Sequence, residues 1–228
     1  MTRIEPEEFR AQLDAGTAHE RTRQWAEAAA HYGTLAEALG DLGAEDAAGR
    51  GMRALALLRQ ANALMELARW EEARRCLDIA LEDAKASGDT VTLAQALLAA
   101  GVYATNRGDT ARAKAFLMDA LERFHRADDP PSVQGRGWTF LNLATLYGKT
   151  GRLDLAFVTL TKAQDVLGTV ENWAGVAAAW EAQAQLRRAI HDEDRWREDL
   201  AEAVIFYDRE GMKAKADQLR RLLGRKLV

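Results

Sequence analysis

Glu122 and His125 stand one helical turn apart as Glu-x-x-His, which would place a carboxylate and an imidazole on one face of a helix. A di-iron bundle needs that motif twice, with further glutamates facing it. This sequence has one copy, and its other histidines, His19, His31 and His191, are scattered over separate segments. A lone Glu-x-x-His on an amphipathic helix reads as a surface pair. No His-Glu-x-x-His, Cys-x-x-Cys or glycine-rich phosphate loop occurs. Cys76 is the single cysteine and has no local partner that would make it a nucleophile. It precedes Leu77 on a packed helix, where a small buried residue is expected. No catalytic residue, metal site or cofactor is expected, and the chain is not expected to be an enzyme.

Six tryptophans invite a ligand cage. Trp25 and Trp70 each open an apolar helix just after a turn, where packing between neighbouring helices accounts for them. Trp138, Trp173 and Trp180 are less tied to such a position, and Trp138 or Trp180 is a candidate to border a groove.

The elements that would carry these residues are helical. Alanine and leucine dominate, Val and Ile are sparse, and the three prolines are Pro6, Pro130 and Pro131, so the fold class is all-α. With 48% hydrophobic and 29% charged residues the chain has the balance of a folded soluble protein rather than a disordered one. A net charge of −4 argues against a general nucleic-acid binder, so no nucleic acid is expected as partner. The stretch from Met212 is locally basic, with Lys213, Lys215, Arg220, Arg221, Arg225 and Lys226 against Asp217. It is either a solvated helix end or a docking patch for an acidic partner. One cysteine excludes an intramolecular disulfide, and no signal-peptide core or long apolar span is present. A cytoplasmic location is expected, with no membrane partner.

A repeat organises the chain. Leu-x-x-Ala recurs at Leu77/Ala80, Leu117/Ala120, Leu160/Ala163 and Leu200/Ala203, with the leucines 40, 43 and 40 residues apart. Four residues before the first three leucines lie Ala73, Ala113 and Ala156; sixteen before all four lie Ala61, Gly101, Ala144 and Ala184. Gly16, Ala28 and Tyr32 fit an earlier copy. Residues at i, i+4 and i+7 share a helix face, so each copy has an Ala-Leu-Ala stripe on one helix. The small residue upstream lies across a turn on the preceding helix, where it admits close backbone approach. Each unit is therefore a helical hairpin, and one hairpin cannot bury both apolar faces alone. Gly108-Asp109 and Gly151-Arg152 mark turns within hairpins, Gly88-Asp89 a turn between them, and Asp128-Asp129-Pro130-Pro131 the longest breaker. The pattern predicts helices over 6–22, 25–41, 45–67, 70–87, 90–107, 110–127, 132–150, 153–167, 171–190, 193–210 and 212–224. The last would cap the stack, with Leu219, Leu222 and Leu223 inward and its basic residues outward.

The stretches LLAAGVYATNRGDTARAKAFLMDAL from Leu97 and LNLATLYGKTGRLDLAFVTLTKA from Leu141 resemble the tetratricopeptide repeat. The period near 40 is similar to the longer repeats of kinesin light chains, G-protein-signalling modulators and bacterial Rap or MalT-type regulators. The resemblance implies a right-handed α-α superhelix, a single solenoid domain over 1–228. Its repeats would cover 6–42, 45–87, 90–127, 132–168 and 171–210, with the cap at 212–224. In unit five Trp196 stands where the other units carry Ala, so packing should differ there.

The resemblance also implies that the first helix of each unit lines a concave face. Carried onto this chain, that face includes Arg59, Asn62 and Glu66, then Asn106, then Asn142, Thr145 and Lys149, and finally Glu181, Gln185 and Arg188. An Asn amide both donates and accepts, so it can grip the backbone of an extended peptide, or simply face water. The family's carboxylate clamp gathers Lys, Arg and Asn on a terminal carboxylate. Here Glu66 and Glu181 are mixed with Lys149 and Arg188, so that use is not expected. Two readings stay open: a scaffold binding a protein or peptide in its groove, or a sensory subunit that binds a small ligand or signalling peptide and controls a separate effector. Association between copies through an exposed end or an apolar convex patch is compatible with both.

Overall fold

The computed structural model describes residues 4–40 and 46–224, and among them there are eleven α-helices and no strand. These are α1 (Pro6–Arg21), α2 (Trp25–Ala38), α3 (Ala47–Glu66), α4 (Trp70–Ser87), α5 (Thr90–Asn106), α6 (Thr110–Phe124), α7 (Pro130–Lys149), α8 (Leu153–Thr169), α9 (Trp173–Ala189), α10 (Glu193–Arg209) and α11 (Lys213–Leu223). They pair as five hairpins, α1/α2 through α9/α10, followed by α11. Two compact units are formed, Met1–Ala120 and Leu121–Val228. The expected ends at 41, 42 and 45, and the basic residues Arg225 and Lys226, lie outside the described residues.

Helix starts and stops follow one scheme. The first helices of hairpins two to five are capped by side chains: Asp46 accepts from Gly49 N, Asp89 from Val91 N and Thr92 N, Asp129 from Ser132 N, and Asn172 from Gly175 N. Within every hairpin the turn closes differently, through a residue at positive φ nine positions before Leu77, Leu117, Leu160 or Leu200, or before Tyr32 in the first hairpin. These are Arg23, Ala68, Gly108, Gly151 and His191. The next N–H then reaches back five residues along the chain, as in Gln24 N to His19 O and Arg69 N to Leu64 O, both at 2.9 Å. The same bond closes the other three hairpins, satisfying carbonyls the helix end would leave bare.

The repeat stripe forms the core. Ala73, Leu77, Ala80, Ala113, Leu117, Ala120, Ala156, Leu160, Ala163, Leu200 and Ala203 are all buried, and so are Ala61, Gly101, Ala144 and Ala184 across the turn. In the first hairpin the same relation joins Gly16 to Tyr32, whose ring is wholly buried. Trp196 is buried at the position where other units have Ala.

Buried charge in the first unit is paired. Asp83 on α4 accepts from Arg53 Nε at 2.6 Å and Nη2 at 2.8 Å, and from Arg50 Nη1 at 3.2 Å. These bonds bind α3 to α4 and hold the Arg53 guanidinium above its ordinary pKa. In the second unit α11 seats Ala216 and Leu219 fully against α10, with Leu222 and Leu223 half-buried. Its basic residues do not all face outward. Lys215 turns inward and bonds Glu181 at 2.9 Å, because Glu181 on α9 presents an acceptor at the edge of that seat.

Candidate functional site

Four of the ten expected groove residues converge in the first unit. Arg59, Asn62 and Glu66 recur at helical spacing on α3 and so share one face. With Glu20 of α1, Trp25 of α2, Met65 of α3, and Val102 and Asn106 of α5, they line a cleft of about 240 Å³. The repeat explains the meeting. Asn62 and Val102 stand fifteen residues before Leu77 and Leu117, and Glu66 and Asn106 stand eleven before the same leucines. Equivalent positions on successive first helices thus face one space. Met65 is buried beneath it, and Trp25 is half-buried against the same core.

The cleft's charges differ in how they are held. Glu20 accepts from the Tyr32 hydroxyl at 3.0 Å and pairs with Arg59 at 3.4 Å. Burial, followed by the neighbouring Glu20, pushes the Tyr32 phenol up to about 12, so Tyr32 remains a donor and fixes Glu20 as an acceptor. Asn62 and Glu66 are exposed, and neither forms a side-chain hydrogen bond or ion pair with the described residues. The cleft therefore offers one amide and one carboxylate with unused bonding capacity above an apolar floor.

The other six lie on α7 and α9 of the second unit. Asn142 Nδ2 donates to Trp138 O at 2.9 Å and the Thr145 hydroxyl to Leu141 O at 3.1 Å, so both donors are engaged within α7. Glu181 accepts from the Tyr207 hydroxyl and from Lys215 Nζ, each at 2.9 Å. Burial first, and then Glu181, raises the Tyr207 phenol. The Arg188 guanidinium lies 5.7 Å from the centre of the Trp196 ring, while Lys149 and Gln185 are exposed. Trp138 and Trp180 are half-buried against apolar clusters, and Trp173 stacks on Phe206 with Arg209 over its ring.

Glu20, Trp25, Met65 and Val102 were not among the expected site residues. Trp25 and Met65 look like packing residues in sequence, and they are that as well. Glu20 stands twelve residues before Tyr32, one step off the column of Glu66 and Asn106. It therefore stands outside the column that Glu66 and Asn106 share. Elsewhere, Glu122 and His125 are both exposed, and Glu122 pairs with Arg126. Cys76 is half-buried and donates to Gln60 Oε1 at 3.3 Å, and burial raises its thiol. Among the described residues no group of three or more His, Cys, Asp or Glu is arranged to hold a metal ion. No described helix is long and apolar enough to cross a membrane.

No protein-family model matches this sequence, and no curated protein is significantly similar to it. Solved structures are similar in fold. RapI in its apo form superposes with a TM-score of 0.62 at 14% identity, over 97% of this chain and 82% of that one. Aspartyl phosphate phosphatase F from Bacillus subtilis gives 0.62 at 12% identity, over 100% of this chain and 63% of that one. The fold is that of the tetratricopeptide-like helical repeats. BtubC (BKLC) from P. vanneervenii shares it as well, with a TM-score of 0.58 at 14% identity, over 96% of this chain and 94% of that one. In this repeat fold the first-unit cleft lies on the first helices α1, α3 and α5 and reaches the start of α2.

Proposed function

We propose that this chain is a non-enzymatic interaction module that holds an extended segment of a protein partner against the first helices of its hairpins, with the first-unit cleft as a contact. The observation that carries this is the meeting of Arg59, Asn62, Glu66 and Asn106 in one cleft with Asn62 and Glu66 unengaged. A free amide beside an apolar floor suits a peptide: backbone groups pair with the amide while one side chain enters the cleft. Size favours a side chain over a complete small ligand, since sites for drug-sized molecules run to about 300–1,000 Å³ and this cleft holds about 240 Å³. Lys149, Gln185 and Arg188, exposed on the second unit, are proposed as further contacts.

Cross-linked affinity capture from native lysate tests the reading, comparing the wild type with a chain carrying both Asn62→Ala and Asn106→Ala. Bound proteins should be depleted severalfold from the double variant while its helical circular dichroism is unchanged. Equal capture by both chains would remove the cleft from the binding surface. A thermal-shift screen in which a small metabolite stabilises the chain, with no protein captured, would replace this reading with the sensory one.

A further inference from the structure

We infer that the first-unit cleft selects a basic side chain, Arg or Lys, on the bound segment, with Glu66 as its counter-charge. This rests on the reading of the cleft as a peptide contact and adds its chemical preference. Three charged groups line the cleft, Glu20, Glu66 and Arg59. Arg59 is already paired with Glu20, and Glu20 also accepts from Tyr32, so those two charges are accounted for within the protein. Glu66 is left with no partner among the described residues. An acidic side chain entering here would meet an uncompensated carboxylate, a neutral one would leave it as it was, and a basic one would neutralise it.

The walls fit the same guest. Arg and Lys carry an apolar stem below a charged head, and they pack the stem on apolar surface while the head reaches polar groups. Trp25, Met65 and Val102 provide that surface, and the Trp25 indole adds a face that attracts cations. Asn62, on the same face of α3 as Glu66, is placed to take the peptide backbone beside the inserted residue. Because Glu66 is exposed, its pairing energy is modest, and discrimination of about three- to fivefold is expected from it alone.

The test uses fluorescein-labelled, end-blocked heptapeptides Ala-Ser-Leu-X-Leu-Ser-Ala with X as Arg, Lys, Gln or Glu, titrated by anisotropy against the full chain at low salt. The expected order is Arg and Lys tightest, Gln about three- to fivefold weaker, and Glu weakest. Glu66→Gln should bring Arg down to the level of Gln. Glu66→Arg should reverse the order, so that Glu binds better than Arg. Since Glu66 is exposed and makes no side-chain bond among the described residues, both variants should keep wild-type circular dichroism. Equal affinity for all four peptides, an order unmoved by Glu66→Arg, or no binding by any peptide overturns the inference. If capture from lysate still depends on Asn62 and Asn106 in that event, the peptide-contact reading stands without the basic preference. Binding of N-acetyl-arginine amide as tightly as the Arg heptapeptide would also overturn it, by making the guest a small cation.

Discussion

Gly101 lies directly beneath Leu117: a Cβ on Gly101 would stand 2.7 Å from both Cγ and Cδ2 of Leu117 and 3.4 Å from its backbone nitrogen. This is the sixteen-residue relation of the repeat, with the leucine filling the space a side chain would need. Gly101→Ala should therefore destabilise the chain by about 1–3 kcal/mol, the usual cost of forcing a methyl into a packed core. Urea denaturation checks it, and Leu117→Ala added to Gly101→Ala should cost less than the sum of the two single changes. Simple additivity would show that the two residues are not in conflict.

The hairpin turns show where legibility in the sequence ended. All five close through a residue at positive φ at one position, yet only Gly108 and Gly151 announce it by type. Arg23, Ala68 and His191 hold the same conformation because their helices on either side are fixed by packing, and backbone closure overrides residue preference. At Gly108 nothing stands within 4 Å of an added Cβ, so a substitution there tests conformation alone. Gly108→Ala should lose about 1 kcal/mol, and Ala68→Gly should be neutral or gain up to about 1 kcal/mol. Thermal denaturation of the two variants, read as shifts of opposite sign, is the check. A loss for both would place the cost in chain entropy rather than in φ.

The packing positions were readable because burial demands a fixed spacing, and the stripe from Ala73 to Ala203 is buried as that spacing requires. The site was readable only in part. Polar residues at the right column, Asn62, Glu66 and Asn106, do meet in one cleft. Asn142 and Glu181 sit on first helices too, yet Asn142 donates its amide to Trp138 O and Glu181 is taken by Tyr207 and Lys215. Position on a helix face follows from periodicity, but whether a polar group is spent inside the protein depends on neighbours far along the chain. Tyr207 and Lys215 lie 26 and 34 residues from Glu181.

Stability should fall in alkali. Unfolded tyrosine ionises near pH 10, whereas Tyr32 in the folded chain keeps its proton to about 12, and Tyr207 is raised as well. Below pH 10 both states are protonated and the contribution of these phenols is complete. As pH rises from 10 towards 12 the unfolded state releases its protons first, so stability drops across that window. Denaturant midpoints at pH 9 and pH 11 should differ in that direction. Tyr32→Phe should shrink the difference while costing about 1 kcal/mol at neutral pH through the lost bond to Glu20. An undiminished alkaline drop in Tyr32→Phe would assign it to other groups.

The same three-part arrangement occurs in both units. Glu20 takes a bond from Tyr32 of its own hairpin and a cation, Arg59, from the next first helix. Glu181 takes Tyr207 of its own hairpin and Lys215 of α11. By this likeness α11 occupies the place of a further first helix, held by apolar contact through Ala216 and Leu219, by the Lys215–Glu181 pair to α9 and by the more exposed Arg220–Asp208 pair to α10. Lys215→Ala removes the pair to α9 and leaves Glu181 with Tyr207 alone. Since Ala216 and Leu219 remain seated, the helix should stay docked but open more often. Amide hydrogen exchange in residues 213–223 should speed up about three- to tenfold, with exchange in α7 and α8 unchanged, as expected for loss of a partly exposed ion pair worth up to about 1 kcal/mol. High salt also screens the Arg220–Asp208 pair, so it should speed exchange in both chains, and in the wild type by the larger factor. Equal exchange in the two chains at low salt would show that the Lys215–Glu181 pair contributes nothing to holding α11.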